Sequence, residues 1–214
     1  MKKIAILISG SGSNLEAIAK ACFEQRIDGQ IKCVISNVPS AFGIQRAKSF
    51  GLNAVIVDHS LFKTRDEFDN EIDHVLSKYK IDIVVLAGFM RILGKKITKK
   101  YYGKMINLHP SLLPLYPGLD THAKVLQNRD KNHGISIHYV SSELDAGPII
   151  AQGCISVNKN DTKNDLEKRI HSIEHKLFPK IINDICNEKI YLEDNIVKFS
   201  MDKSMQKIYE YYEE

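Results

Sequence analysis

Met105-Ile106-Asn107-Leu108-His109-Pro110-Ser111-Leu112-Leu113-Pro114 passes from apolar residues through an Asn-x-His pair to two prolines. Its apolar start reads as the end of a buried strand, and its prolines mark the loop that follows. In an extended segment residues two apart point the same way, so Asn107 and His109 share a face where strand gives way to loop. Open parallel α/β sheets place their ligand crevices at that end of the strands. An amide donor beside an imidazole suits chemistry in which a carbonyl becomes a tetrahedral oxyanion and protons move. For the pair taken alone, an Asn that caps a turn and a partly buried packing His are the alternative.

Strand-like apolar runs stand at 4–8, 31–36, 54–57, 81–87 and 105–108, separated by helical patterns at about 14–24, 43–50 and 66–78 and a short turn near 98–102. Near-continuous apolar strands alternating with helices predict a mostly parallel sheet covered on both faces. Beyond the loop come a helix near 122–128 and strands at about 134–140 and 149–157. The alternation of Ile135, Ile137 and Tyr139 suggests a less buried, antiparallel part of a mixed sheet. A helix follows over 162–178, with Leu166, Ile170, Ile173 and Leu177 as its apolar stripe, and Pro179 is expected to end or kink it. The tail from Tyr191 reads as a short strand pair and a polar end. With no repeat, linker or low-complexity segment, the 214 residues predict one domain.

Hydrophobic residues make up 43% of the chain, enough for a sizeable core. The formal charge of +4 is mild and spread along the chain. It favours small anionic substrates, and no basic-aromatic pattern of a nucleic-acid surface is present. Cys22, Cys33, Cys154 and Cys186 lie far apart without metal-ligand spacing, which predicts a reduced, cytoplasmic chain that binds no metal. The apolar run after Met1-Lys2-Lys3 is too short for a secretory signal, and no segment approaches the roughly 20 apolar residues of a membrane span.

Three further segments carry chemistry. Gly10-Ser11-Gly12-Ser13-Asn14 joins the first strand to the first helix, where glycines let a ligand approach the backbone and the helix N-terminus offers N–H groups to an anion. Leu15 stands where a dinucleotide fingerprint needs its third glycine, so the phosphate of a smaller ligand is the better fit. A structural turn, with Ser13 or Asn14 as helix cap, is the alternative. Ala87-Gly88-Phe89-Met90-Arg91-Ile92-Leu93 leaves the fourth strand with one charged residue among apolar ones, suited to an apolar pocket with a polar handle or to an ordinary packed turn. In Glu143-Leu144-Asp145-Ala146-Gly147-Pro148, Asp145 either caps a turn or reaches His109 and favours its imidazolium. His138 is a second candidate neighbour. His171 and Glu174, three apart on the late helix, share a face that reads by default as solvated.

These motifs, together with Leu86 and His133-Gly134, match one family in order. From Lys3 to about Pro179 the chain resembles the folate-dependent phosphoribosylglycinamide formyltransferases of purine synthesis. The resemblance implies a Rossmann-like formyltransferase fold. It implies that Gly12, Ser13 and Asn14 hold the phosphate of glycinamide ribonucleotide and that Glu174 binds near its ribose or amine. It implies that Met90, Arg91, Ile92 and Leu93 line the folate pocket, with Arg91 at the pterin and Arg65 as a further folate contact. Asn107, His109 and Asp145 would be the catalytic group. The ribonucleotide's phosphate would lie in a half spanning about 1–100, and folate and catalysis in a half spanning about 101–190, with a tail from 191. The co-substrate would be 10-formyltetrahydrofolate, with no permanently bound cofactor, in a monomer or homodimer. Leu115, Asp120 and His171 depart from the family pattern. A formyl-methionyl-tRNA maker is expected to carry a further C-terminal RNA-binding domain and a formyltetrahydrofolate hydrolase an extra N-terminal one; this reading expects neither. A non-catalytic nucleotide sensor on the same fold is the rival of another class, and it has no use for Asn107, His109 and Asp145 together.

Overall fold

The computed structural model describes residues 1–201 and 207–212, Tyr211 by its backbone alone. β1 (Lys2–Ile8) leads into α1 (Ser13–Phe23), β2 (Gly29–Ser36) into α2 (Phe42–Ser49), β3 (Ala54–Ile56) into α3 (Arg65–Lys78), and β4 (Ile83–Leu86) into the short α4 (Lys95–Lys100). After β5 (Met105–His109) come α5 (Thr121–Asn128), β6 (Asn132–Tyr139), β7 (Ile149–Ser156), the long α6 (Lys163–Cys186), the pair β8 (Ile190–Glu193) and β9 (Ile196–Phe199), and finally β10 (Ile208–Tyr211). No helix of the described residues is long and apolar enough to cross a membrane.

Eight strands form one mixed sheet in the order β10-β7-β6-β5-β4-β1-β2-β3. All pairings are parallel except those that β6 makes with β5 and β7. The chain winds outward from β1 through β2 to β3, then returns to the other side of β1 with β4. That reversal opens a crevice beyond the carboxyl ends of β1 and β4. The alternation of β1 shows why both faces are covered. Ile4, Ile6 and Ile8 pack with Leu15 and Ile18 of α1 and the apolar stripe of α6, whereas Ala5 and Leu7 pack with Phe68, Ile72 and Leu76 of α3. Each fully buried Ile or Leu among them contributes about 1.5–3 kcal/mol. Thr64 with Glu67, and Thr162 with Asp165, form capping boxes that start α3 and α6.

Two sequence expectations are corrected. β6 is antiparallel as expected, but it is not less buried: Ile135, Ile137 and Tyr139 lie in the core with α6, and Ser136 and His138 on its other face are buried as well. Pro179 does not end the late helix, which runs on to Cys186. Ile181, Ile182 and Ile185 continue the buried stripe, and their burial outweighs the roughly 3 kcal/mol that an internal proline costs. The expected strand pair near 191 is β8 and β9. Beyond it the polar end carries one more strand, β10, on the edge of β7; residues 202–206 and 213–214 lie outside the described residues.

Candidate active site

β5 delivers Asn107 and His109 to the carboxyl end of the sheet, and the turn between β6 and β7 brings Asp145 to meet them. His109 Nδ1 lies 3.4 Å from one carboxylate oxygen of Asp145, and Asn107 Nδ2 donates to the other at 3.4 Å. The Gly118 N–H donates to Asp145 at 2.8 Å. Asp145 adopts φ +50°, a region Asp tolerates better than most residues, and a Cβ on Gly147 just after it would collide with the Tyr139 carbonyl. The turn is thereby fixed by a close backbone approach that only glycine permits.

His138, opposite Asn107 in the β5–β6 register, completes the cluster. Its Nδ1 faces the Tyr139 carbonyl at 2.9 Å, so that nitrogen carries a proton, and its Nε2 lies 3.1 Å from Asn107 Nδ2 and 3.7 Å from Asp145. Burial alone lifts the Asp145 carboxyl, but the neighbouring His138 ring, the hydrogen bond from Gly118 and the His109 charge together hold it below the usual carboxylate range. Burial dominates at His109 and lowers its pKa, against the opposing pull of the Tyr116 carbonyl and Asp145. The pair at neutral pH is therefore an ionised Asp145 beside a neutral His109 that gains a strong partner on taking up a proton. His109 Nε2–H is spent on the Tyr116 carbonyl at 2.8 Å, so the ring meets a substrate through Nε2 only when that bond opens. His133 is buried against His122, with 2.8 Å between their nitrogens; burial first and His122 second push it down to about 3, which makes it a neutral packing partner.

At the other side of the crevice, Gly12 precedes α1 with φ +74°, and its Cβ, if present, would lie 2.6 Å from the Gly43 Cα. α1 has no side-chain cap, so neither Ser13 nor Asn14 serves that purpose. Asn14 instead reaches across to α6, where its Nδ2 donates to Glu174 at 2.8 Å, and its Oδ1 is buried with no hydrogen-bond partner. Glu174 corrects the solvated-face reading: it is 5% exposed, and burial, against the Asn14 hydrogen bond, pushes its carboxyl up to about 7. His171 is partly exposed, 3.9 Å from Glu174. A bare helix N-terminus beside a buried polar pair can accept an anion and read hydroxyls next to it.

Between these clusters, Met90 N–H donates to Ser9 Oγ at 2.7 Å, which places the segment after β4 on the carboxyl end of β1. Met90 and Ile92 are 64% and 47% exposed, a surface that a flat apolar ligand would cover. Arg91 lies over the Phe68 ring, and Arg65 stands at the start of α3 close to Gly94. Leu93 points the other way into the core with α3, so it cannot line a pocket with its side chain. Among the residues that departed from the family pattern, Leu115 and Asp120 are exposed.

A family model described as formyl transferase matches residues 2–182. The chain belongs to the formyl transferase family. It is 42% identical over 192 residues to phosphoribosylglycinamide formyltransferase of Escherichia coli K12, covering 90% of this chain and 91% of that protein. It is 40% identical to the human trifunctional purine biosynthetic protein adenosine-3, covering 90% of this chain but 19% of that longer protein. Among solved structures, that of phosphoribosylglycinamide formyltransferase from Coxiella burnetii superposes with a TM-score of 0.91 at 37% identity, covering 98% of this chain and 99% of that one. The family's shared architecture is the mostly parallel mixed sheet described above. Sequence reasoning had no means to find the Tyr116 carbonyl and the Gly118 N–H, because backbone groups leave no residue-type signal. It also missed Asp69, whose buried carboxylate accepts the Gly94 N–H at 2.7 Å and ties the 88–94 segment to α3.

Proposed function

We propose that this chain transfers the formyl group of 10-formyltetrahydrofolate to the amine of N1-(5-phosphoribosyl)glycinamide, giving the N-formyl product and tetrahydrofolate, in the cytoplasmic synthesis of purines. The observation that carries the reading is the convergence of Asn107, His109 and Asp145 at the end of β5, in a chain that matches formyltransferases over nearly all its length. The substrate amine attacks the formyl carbon, a tetrahedral oxyanion forms, and the bond from that carbon to N10 of the folate breaks. Asn107 donates to the developing oxyanion. His109, charged through Nδ1 against Asp145 and with its Nε2–H released from the Tyr116 carbonyl, stabilises it, gives that Nε2 proton to N10 as the bond to carbon breaks, and regains a proton from the amine. Asp145 supplies the fixed negative charge that makes this imidazolium affordable in a buried site.

Gly12, Ser13 and Asn14 hold the phosphate, and Glu174 accepts hydrogen bonds near the ribose or amine. Met90, Arg91 and Ile92 cover the pterin with Arg65 beyond them, and Leu93 anchors that segment. The folate is a co-substrate that enters and leaves with each turnover. The chain works as a single domain, monomeric or homodimeric. Purified protein mixed with 10-formyltetrahydrofolate should change the folate absorbance only when glycinamide ribonucleotide is present. A change that is independent of the ribonucleotide would assign hydrolysis instead, and no change under any condition would assign a sensor.

A further inference from the structure

We propose that the C-terminal strand β10 is a positioning element for the catalytic loop, acting through Lys207 and Gln152. The starting point is Ser136 on β6. Its hydroxyl donates to the Ser111 carbonyl at 2.7 Å and accepts from the Leu113 N–H and from Gln152 Nε2, both at 2.9 Å. A serine hydroxyl has one hydrogen and two lone pairs, so all of its capacity is in use. That fixes the amide of Gln152: Nε2 points inward, where it also donates to the Leu113 carbonyl at 2.9 Å, and Oε1 must point outward. There it accepts from Lys207 Nζ at 2.7 Å. Gln152 is 3% exposed, and a buried acceptor left unpaired costs its full desolvation. A lysine ammonium is donor only, so it can pair with Oε1 and cannot support the flipped amide.

Lys207 is held in place by the strand that follows it. Ile208 and Tyr209 pair with Ala151 and Gln152 of β7, the Tyr212 N–H donates to the Cys154 carbonyl at 2.8 Å, and Glu210 is bound by Lys180 at 2.5 Å. At the other end of the chain of bonds stands the reaction. Ser111 and Leu113, clamped by Ser136 and Gln152, belong to the loop whose Tyr116 carbonyl holds His109 Nε2 and whose Gly118 N–H holds Asp145. Ser111 Oγ donates to the Leu115 carbonyl at 2.6 Å, which carries the clamp along the loop. Lys207 touches no reacting atom. It sets the amide that sets the loop that aims His109.

The inference rests on the formyl-transfer reading for its kinetic arm and on geometry alone for its spectroscopic arm. Lys207→Met and Lys207→Arg are made in the full chain, with Lys207→Gln as a neutral donor. For each, kcat, both KM values, the melting temperature and the nitrogen-15 signals of the His109 ring are measured. Lys207→Met is expected to lower kcat by about tenfold, the equivalent of one lost hydrogen bond to a charged donor, with both KM values within about twofold and the His109 Nε2 signal displaced. Lys207→Arg should restore kcat and the signal. Normal kcat and an unmoved signal in folded Lys207→Met protein, or a loss in Lys207→Arg as large as in Lys207→Met, would overturn the coupling while leaving the transfer reaction intact. Loss of activity that tracks melting temperature alone, with the signal unmoved, overturns it too. A wild-type chain without transfer activity defeats the functional reading instead, and the His109 signal still decides the coupling.

Discussion

Replacing Glu174 by Gln removes a carboxyl that the fold holds at a cost. Buried between α6 and the start of α1, its pKa is pushed up from 4.5 to about 7. Such a displacement is worth about 3.4 kcal/mol at 1.36 kcal/mol per pH unit. The sign follows from proton binding: the folded state keeps the proton to a higher pH than the unfolded chain, so unfolding between pH 4.5 and about 7 releases protons and stability falls as pH rises through that window. Above about pH 7 the penalty is complete. Glu174→Gln abolishes it, and its amide nitrogen can donate to the orphaned Asn14 Oδ1. The variant should therefore match wild type near pH 4.5 and exceed it by up to about 3 kcal/mol at pH 8, a rise of roughly 6–12 °C in melting temperature for a chain of this size. The same variant should raise the KM for the ribonucleotide by about tenfold or more, because a carboxylate accepting from hydroxyls is lost, with the folate KM little changed. Calorimetric melting at pH 4.5, 6 and 8 beside steady-state kinetics reads both effects. A stability difference that does not vary with pH would refute the burial argument, and an unchanged ribonucleotide KM would remove Glu174 from the substrate site.

Asn107→Ala should lower kcat by about a hundredfold to a thousandfold, the loss of one oxyanion donor, and its KM values should move far less. His109→Ala and Asp145→Asn should likewise act on kcat, and near-normal turnover in His109→Ala removes it from the mechanism. Met90→Asp should weaken folate binding by calorimetric titration and spare the ribonucleotide, since it forces a charge under an apolar ligand; equal loss of both points to misfolding. Gly12→Val should fail as a probe of phosphate binding, because φ +74° and the Gly43 backbone leave no room for a side chain; a melting temperature within about 1 °C of wild type would contradict this. Ser13→Asp, which sets a charge against the phosphate at the first residue of α1, is the cleaner probe, and unaltered ribonucleotide affinity there would sink the phosphate assignment.

The layered fold was legible because strands buried on both faces must be apolar at every position, as Ile4 to Ile8 and Ile83 to Leu86 are. β10 was not, since an edge strand of Ile-Tyr-Glu-Tyr is short and no more apolar than a loop. Asn107 and His109 could be paired from strand periodicity alone, but Asp145 reaches them only through the β6–β7 turn, and no local pattern encodes that meeting. Glu174 was misread for a related reason. A polar residue beside an apolar stripe looks solvated until a second helix packs over it, and here that helix is α1 with Asn14. Both clusters thus join residues from distant parts of the chain: the start of α1 to α6, and the end of β5 to the turn before β7. The expected division of the chain into a phosphate segment and a folate segment is thus crossed by the Asn14–Glu174 pair. On the proposed reading, Glu174, from the late helix, would complete the ribonucleotide end, and Met90 to Ile92, from the early half, would cover the folate end. Each cluster therefore depends on packing that joins distant segments, and the exposed Met90 and Ile92 stand among buried neighbours such as Phe89 and Leu93.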